Sequence, residues 1–68
     1  MKIVEIIKKQ NRQWVCIVYI DDLADLSDVE TIDGLPKNTT LAAGSIAYDQ
    51  TLNTAVLNND GEWVVEGD

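Results

Sequence analysis

The residues of this chain with most chemistry to offer are its acids. Asp21, Asp22, Asp25, Asp28, Glu30 and Asp33 fall within thirteen residues, a density of carboxylates that suggests a hard cation such as calcium. A dedicated calcium loop places its ligands at alternating positions around a central glycine and closes on a glutamate. Here the acids are irregularly spaced and Gly34 comes after them. The expectation is no metal site.

Two other groups invite the same scrutiny. Tyr19-Ile-Asp-Asp22 has the order of a metal-binding turn of reverse transcriptases, but that chemistry needs a further carboxylate on a neighbouring strand and a far longer palm domain. Cys16 sits between Val15 and Ile17 in an apolar run. A reactive thiolate wants a basic neighbour or a helix N-terminus, and the chain has no histidine, so Cys16 reads as core filler. Catalysis would fall to carboxylates alone, which need a pocket able to set their pKa values apart. A chain this short has little volume for one. We expect no enzyme, no catalytic residues, no cofactor and no small-molecule substrate.

The aromatic residues point to assembly instead. Trp63 follows Asp60-Gly61-Glu62 at the start of the last expected strand, and Val65 shares its face by the period of two. Trp63 either anchors an interface, where tryptophan and tyrosine are enriched, or closes the core over the first hairpin. Trp14, Tyr19 and Tyr48 raise the same question. The candidate interface set is Trp14, Tyr19, Tyr48, Trp63 and Val65.

These residues must be held by short strands. Residues 45–49, 54–57 and 62–66 read as a meander joined by turns at 50–53 and 58–61, where Asn, Asp and Gly tolerate left-handed backbone or bond their own main chain. Residues 2–9 and 14–20 read as a hairpin across 11–13. The run 14–20 lacks clean alternation, as does a strand covered on both faces by its own domain or by another subunit. Between them, Leu23, Leu26, Val29 and Ile32 recur every three residues, which suits a 3₁₀ turn, and Ser27 with Glu30 has capping-box spacing. Residues 37–44 are expected to run extended. The fold class is all-β or nearly so: about five short antiparallel strands in one domain, with a hairpin at 1–20, an acidic loop and connector at 21–44 and a meander at 45–66.

With 68 residues and one cysteine, the chain has no intrachain disulfide and a barely sufficient core. An efficient core or oligomerisation must compensate. Residues 1–20 carry 4 − 1 = +3 and residues 21–68 carry 1 − 11 = −10. Such a balance argues against direct binding to nucleic acid. No run is long enough for a membrane span, the N-terminal apolar run is too short and interrupted for a signal peptide, and the sequon at Asn38 reads as chance.

The segment from Leu41 to Val64, Leu-Ala-Ala-Gly-Ser-Ile-Ala-Tyr-Asp-Gln-Thr-Leu-Asn-Thr-Ala-Val-Leu-Asn-Asn-Asp-Gly-Glu-Trp-Val, resembles a pattern in short proteins of tailed bacteriophages. There an Ala/Gly-Ser-x-Ala-Tyr start leads through a hairpin to an x-Asp-Gly-x-Trp finish. The resemblance covers residues 36–66 and is carried by Gly44, Ser45, Tyr48, Gly61 and Trp63. It implies a small virion component, of the capsid-decoration, head-fibre, head–tail or tail accessory type. Such a subunit would be made in the bacterial cytoplasm, associate symmetrically (a trimer by preference) and bind a larger virion protein. Two alternatives stay open: an acidic mimic of nucleic acid that inhibits a basic host protein, and a cellular protein-binding β-module.

Overall fold

The chain opens as a long hairpin. β1 (Lys2–Gln10) and β2 (Gln13–Tyr19) pair antiparallel across a turn in which Asn11 takes a φ of 51°, a region asparagine enters more readily than most residues. β1 spends nine residues against seven of β2. The register slips between Ile3 and Glu5 and between Ile6 and Lys8, so Val4 and Ile7 are bulged. Sidedness along β1 therefore repeats every three residues. Ile3, Ile6 and Lys9 lie opposite Val18, Cys16 and Trp14, while Lys2, Glu5 and Lys8 lie opposite Tyr19, Ile17 and Val15. Bulges of this kind also blunt an open sheet edge.

In this computed structural model, residues 1–28 and 32–66 are described, the side chains of Ser27 and Asp28 excepted. The expected capping box of Ser27 and Glu30, and the place of Val29 in the apolar repeat, lie outside the described residues. The rest of the period of three has a structural counterpart: Leu23–Asp28 is a 3₁₀ helix that buries Leu23 and Leu26. Asp22 starts it, its carboxylate accepting the Ala24 N–H at 3.0 Å.

The chain is broadly all-β, but the hairpin and the meander form one mixed sheet of six strands rather than an antiparallel set of five. β3 (Thr40–Leu41) adds a short strand within the expected extended connector, and β4 (Ile46–Tyr48), β5 (Thr54–Leu57) and β6 (Trp63–Val65) follow. The order is β1-β2-β4-β5-β6. Both β3 and β4 run parallel to β2 on the edge away from β1. Parallel neighbours cannot be joined by a tight turn and need a crossover of a dozen or more residues. The acidic segment is that crossover. It leaves β2 at Ile20, whose N–H donates to the Tyr48 carbonyl at 2.8 Å, and touches the outer edge of β1, where the Ile3 N–H donates to the Asp33 carbonyl at 3.1 Å. It then returns to the far side of β2.

Crossing the sheet twice buries one of its faces. Cys16, Val18, Ile20, Leu23, Leu26, Ala47 and Ala55 form the core, with Met1, Ile3, Trp14, Ile32, Leu41 and Trp63 packed around it. Val18, Ala47 and Ala55 are lateral partners on adjacent strands, and the two alanines make a shallow floor that admits the leucines of the 3₁₀ helix.

β3 and β4 share one edge of β2, and the gap between them is a tight turn, Ala42 to Ser45. The Ser45 N–H donates to the Ala42 carbonyl at 3.1 Å, and Gly44 at the third position takes a φ of 94°, the conformation type II turns reserve for glycine. Ser45 is fully buried. Its hydroxyl accepts the Cys16 N–H at 3.2 Å and donates to the Ala42 carbonyl at 2.7 Å, standing in for the strand backbone that β2 lacks at this point. A buried N–H left without that acceptor would cost about 1–3 kcal/mol.

Candidate interaction face

The register of the sheet assembles its second face row by row. Glu5, Ile17, Ile46, Val56 and Val64 run across β1, β2, β4, β5 and β6. The neighbouring row is Lys2, Tyr19, Tyr48 and Thr54, continued by Glu66, whose N–H donates to the Thr54 carbonyl at 2.7 Å. On the other side lie Lys8 and Val15. Beyond the Ser45 turn, that row resumes at Asn58 and Glu62, joined by the Asn58 N–H to the Glu62 carbonyl at 2.9 Å.

An ordinary one-sided sheet alternates apolar residues inward with polar residues outward. This one is apolar on both faces. Val15, Ile17, Tyr19, Ile46, Tyr48 and Val56 are half-buried and Val64 is 51% exposed, yet none belongs to the core cluster. The main contacts between the described elements are those of neighbouring strands, so each side chain is shielded by its lateral partner. Among the described residues no second layer lies over this face. A sheet with an apolar face gains most by burying it against another layer.

The five candidate interface residues separate into two groups. Tyr19 and Tyr48 are lateral partners on the open face. Trp14 and Trp63 lie on the opposite face, half-buried against the core, and the Lys9 ammonium sits 4.7 Å from the centre of the Trp14 ring, a cation–π contact. Val65 shares the Trp63 face, as the period of two requires, and is 58% exposed beside Leu23, Ala24 and Trp63. The residues that dominate the open face, Ile17, Ile46, Val56 and Val64, are absent from the sequence-derived set. A signal for them exists: in residues 46–56 the alanines alternate with Ile46, Tyr48, Thr54 and Val56, so the bulk lies on the side away from the core.

Among the described residues Lys2, Asp21, Asp25 and Asp33 line one common hollow, but the acids do not close around a single point. Cys16 is fully buried, and burial pushes its thiol above the ordinary value, so it is held as the inert thiol. Asp21, Asp22, Asp25 and Asp33 are exposed, and among the described residues no three Cys, Asp or Glu side chains are grouped to hold a metal ion. Asp49 is the one buried carboxylate among the described residues. Its burial favours the neutral acid, but hydrogen bonds from Thr51 and Asn53 outweigh burial and hold the group below 3.8. All of its partners are local, so it is a turn anchor. Among the described residues no helix is long and apolar enough to cross a membrane.

No family model, curated protein or solved structure matches the chain.

Proposed function

We infer that the chain is a non-catalytic assembly subunit of the tailed-phage virion type that residues 36–66 resemble. In this reading it associates with copies of itself and binds a larger virion protein as a decoration, head-fibre or head–tail accessory component. One observation carries the assembly part: among the described residues nothing covers an apolar face spanning β2, β4, β5 and β6, on a domain too small to forgo that burial. The viral part rests on the resemblance.

Mass spectrometry of particles purified from the encoding phage tests the reading, with the chain expected at a copy number in fixed ratio to a major structural protein. Its absence from intact particles would remove the viral assignment. The acidic-mimic reading draws support from the exposed Asp21, Asp22, Asp25 and Asp33 of the connector. It requires a basic host partner whose binding falls steeply with salt, whereas an apolar face binds through salt with little loss.

A further inference from the structure

We propose that the occupant of the open face is a second copy of this chain, packed sheet on sheet about a two-fold axis parallel to the strands. The inference rests on the assembly reading above and names its partner. Charge carries it. By the alternation of β6, Glu62 and Glu66 lie on the same face as Val64, at one margin of the apolar rows, and both are exposed. Lys2 and Lys8 lie on that face at the opposite margin, on β1, with Glu5 between them.

An axis along the strands reverses strand order and keeps each row level. β4 then lies over β4 of the second copy, so Ile46 meets Ile46, and Ile17 meets Val56. At the margins, Lys2 falls over Glu66 of the other copy and Lys8 over its Glu62, each twice by symmetry. An axis across the strands would instead set β1 over β1 and bring Lys2 over Lys8, like charge on like. The two arrangements bury the same apolar face, and the charges select the first. Aligned sheets pack about 30° apart, a rotation that long lysine and glutamate side chains can span. In the middle row Glu5 falls over Val64 of the other copy, at the edge of the contact. A two-fold contact of this kind is closed and self-complementary. A trimer, the number implied by the phage resemblance, would need two different patches, and the open face is one patch that matches itself.

Sedimentation of the full chain at low salt across a range of concentrations provides the test. The wild type is expected at twice the chain mass. Ile46→Asp, which points away from the core, is expected to run as a monomer with unchanged far-ultraviolet circular dichroism. The doubles Lys2→Glu/Lys8→Glu and Glu62→Lys/Glu66→Lys are each expected to weaken the dimer about tenfold or more. Mixing the two in equal amounts should restore it, because each then offers the other the opposite margin. The charge variants stand even if Ile46→Asp fails to fold, since all four sites are exposed. A wild-type monomer, a trimer, or a dimer indifferent to both charge doubles would overturn the proposal. A monomer found in purified particles defeats this inference and leaves the virion reading standing; a dimer absent from particles does the reverse.

Discussion

The two turns of the meander follow one backbone path with different residues. In residues 49–53 and 58–62 the first N–H donates to the fifth carbonyl, Asp49 to Asn53 at 3.2 Å and Asn58 to Glu62 at 2.9 Å. The fourth N–H donates back to the first carbonyl, from Leu52 at 3.0 Å and from Gly61 at 3.2 Å. The side-chain Oδ1 of the first residue accepts the N–H groups of the third and fifth, all at 2.9 Å. The fourth residue has positive φ in both, 63° at Leu52 and 80° at Gly61. At the second turn glycine takes that conformation freely. At the first it is forced on a leucine, where a left-handed backbone costs about 1–2 kcal/mol. What differs in compensation is the anchor. Asp49 is a buried carboxylate that also accepts the Thr51 hydroxyl at 2.9 Å and the Asn53 side-chain amide at 3.3 Å. The same fold of chain is thus secured once by backbone freedom and once by a cage of hydrogen bonds around a strained residue.

The two anchors are therefore not equivalent. Asp49→Ala should be the most damaging change in either turn, because it strips four hydrogen bonds from the turn that also carries the strain. Asn58→Ala removes two from a turn with no strained residue and should cost about 1 kcal/mol. Urea unfolding followed by tryptophan fluorescence would compare them; equal losses would break the contrast. Gly61→Leu makes the second turn resemble the first without its cage. A loss of about 1–2 kcal/mol is expected, and a neutral result would mean that the left-handed position carries no strain in this chain.

Acid should separate the turns as well. The carboxyl of Asp49 is held below its ordinary value of 3.8 when folded. A group whose pKa is lowered by folding contributes stability that is complete above the unfolded value and is lost as pH falls through the folded one. The contribution of the first turn should therefore decline below pH 3.8, while that of Asn58 stays flat. Asp49→Asn is expected to be somewhat less stable near neutrality and to lose less on acidification. Denaturation midpoints measured from pH 6 to pH 2 would show it, and parallel pH profiles for the two proteins would refute it.

The turns are also where the sequence speaks most plainly, since Asp, Asn and Gly act through local bonds and local φ. Strands at 54–57 and around 46–48 and 63–65 follow from them, and the repeat of Leu23 and Leu26 signals a 3₁₀ helix. The parallel placement of β4 beside β2 is not local. It depends on the path of a crossover whose own residues carry only a weak pattern, and nothing in residues 46–48 encodes strand direction. The bulges at Val4 and Ile7 replace the period of two in β1 with a period of three, so its sidedness is hidden from any search for alternation. In the sequence Ser45 reads as the first residue of a strand. Its role at the gap in the edge of β2 needs Cys16, 29 residues away. The open face is half visible in the sequence: the unbroken apolar run of β2 suggests cover on both sides, and only the register shows which strands extend that face.

The smallest effect expected is also the sharpest check on the comparison. Leu52 is 77% exposed, so its side chain buries little and its removal forfeits little. Leu52→Gly relieves a left-handed backbone worth about 1–2 kcal/mol, while the added freedom of glycine in the unfolded chain takes back about 0.4–1 kcal/mol. The balance lies between about zero and a gain of about 1.6 kcal/mol, any gain being visible as a rise in the urea midpoint with an unchanged slope. The same substitution in an Asp49→Ala background should recover part of the lost stability, because the strain is then no longer held by the cage. If Leu52→Gly destabilises the protein in both backgrounds, the leucine side chain contributes something its exposure does not reveal, and the two turns differ in more than how they hold one positive φ.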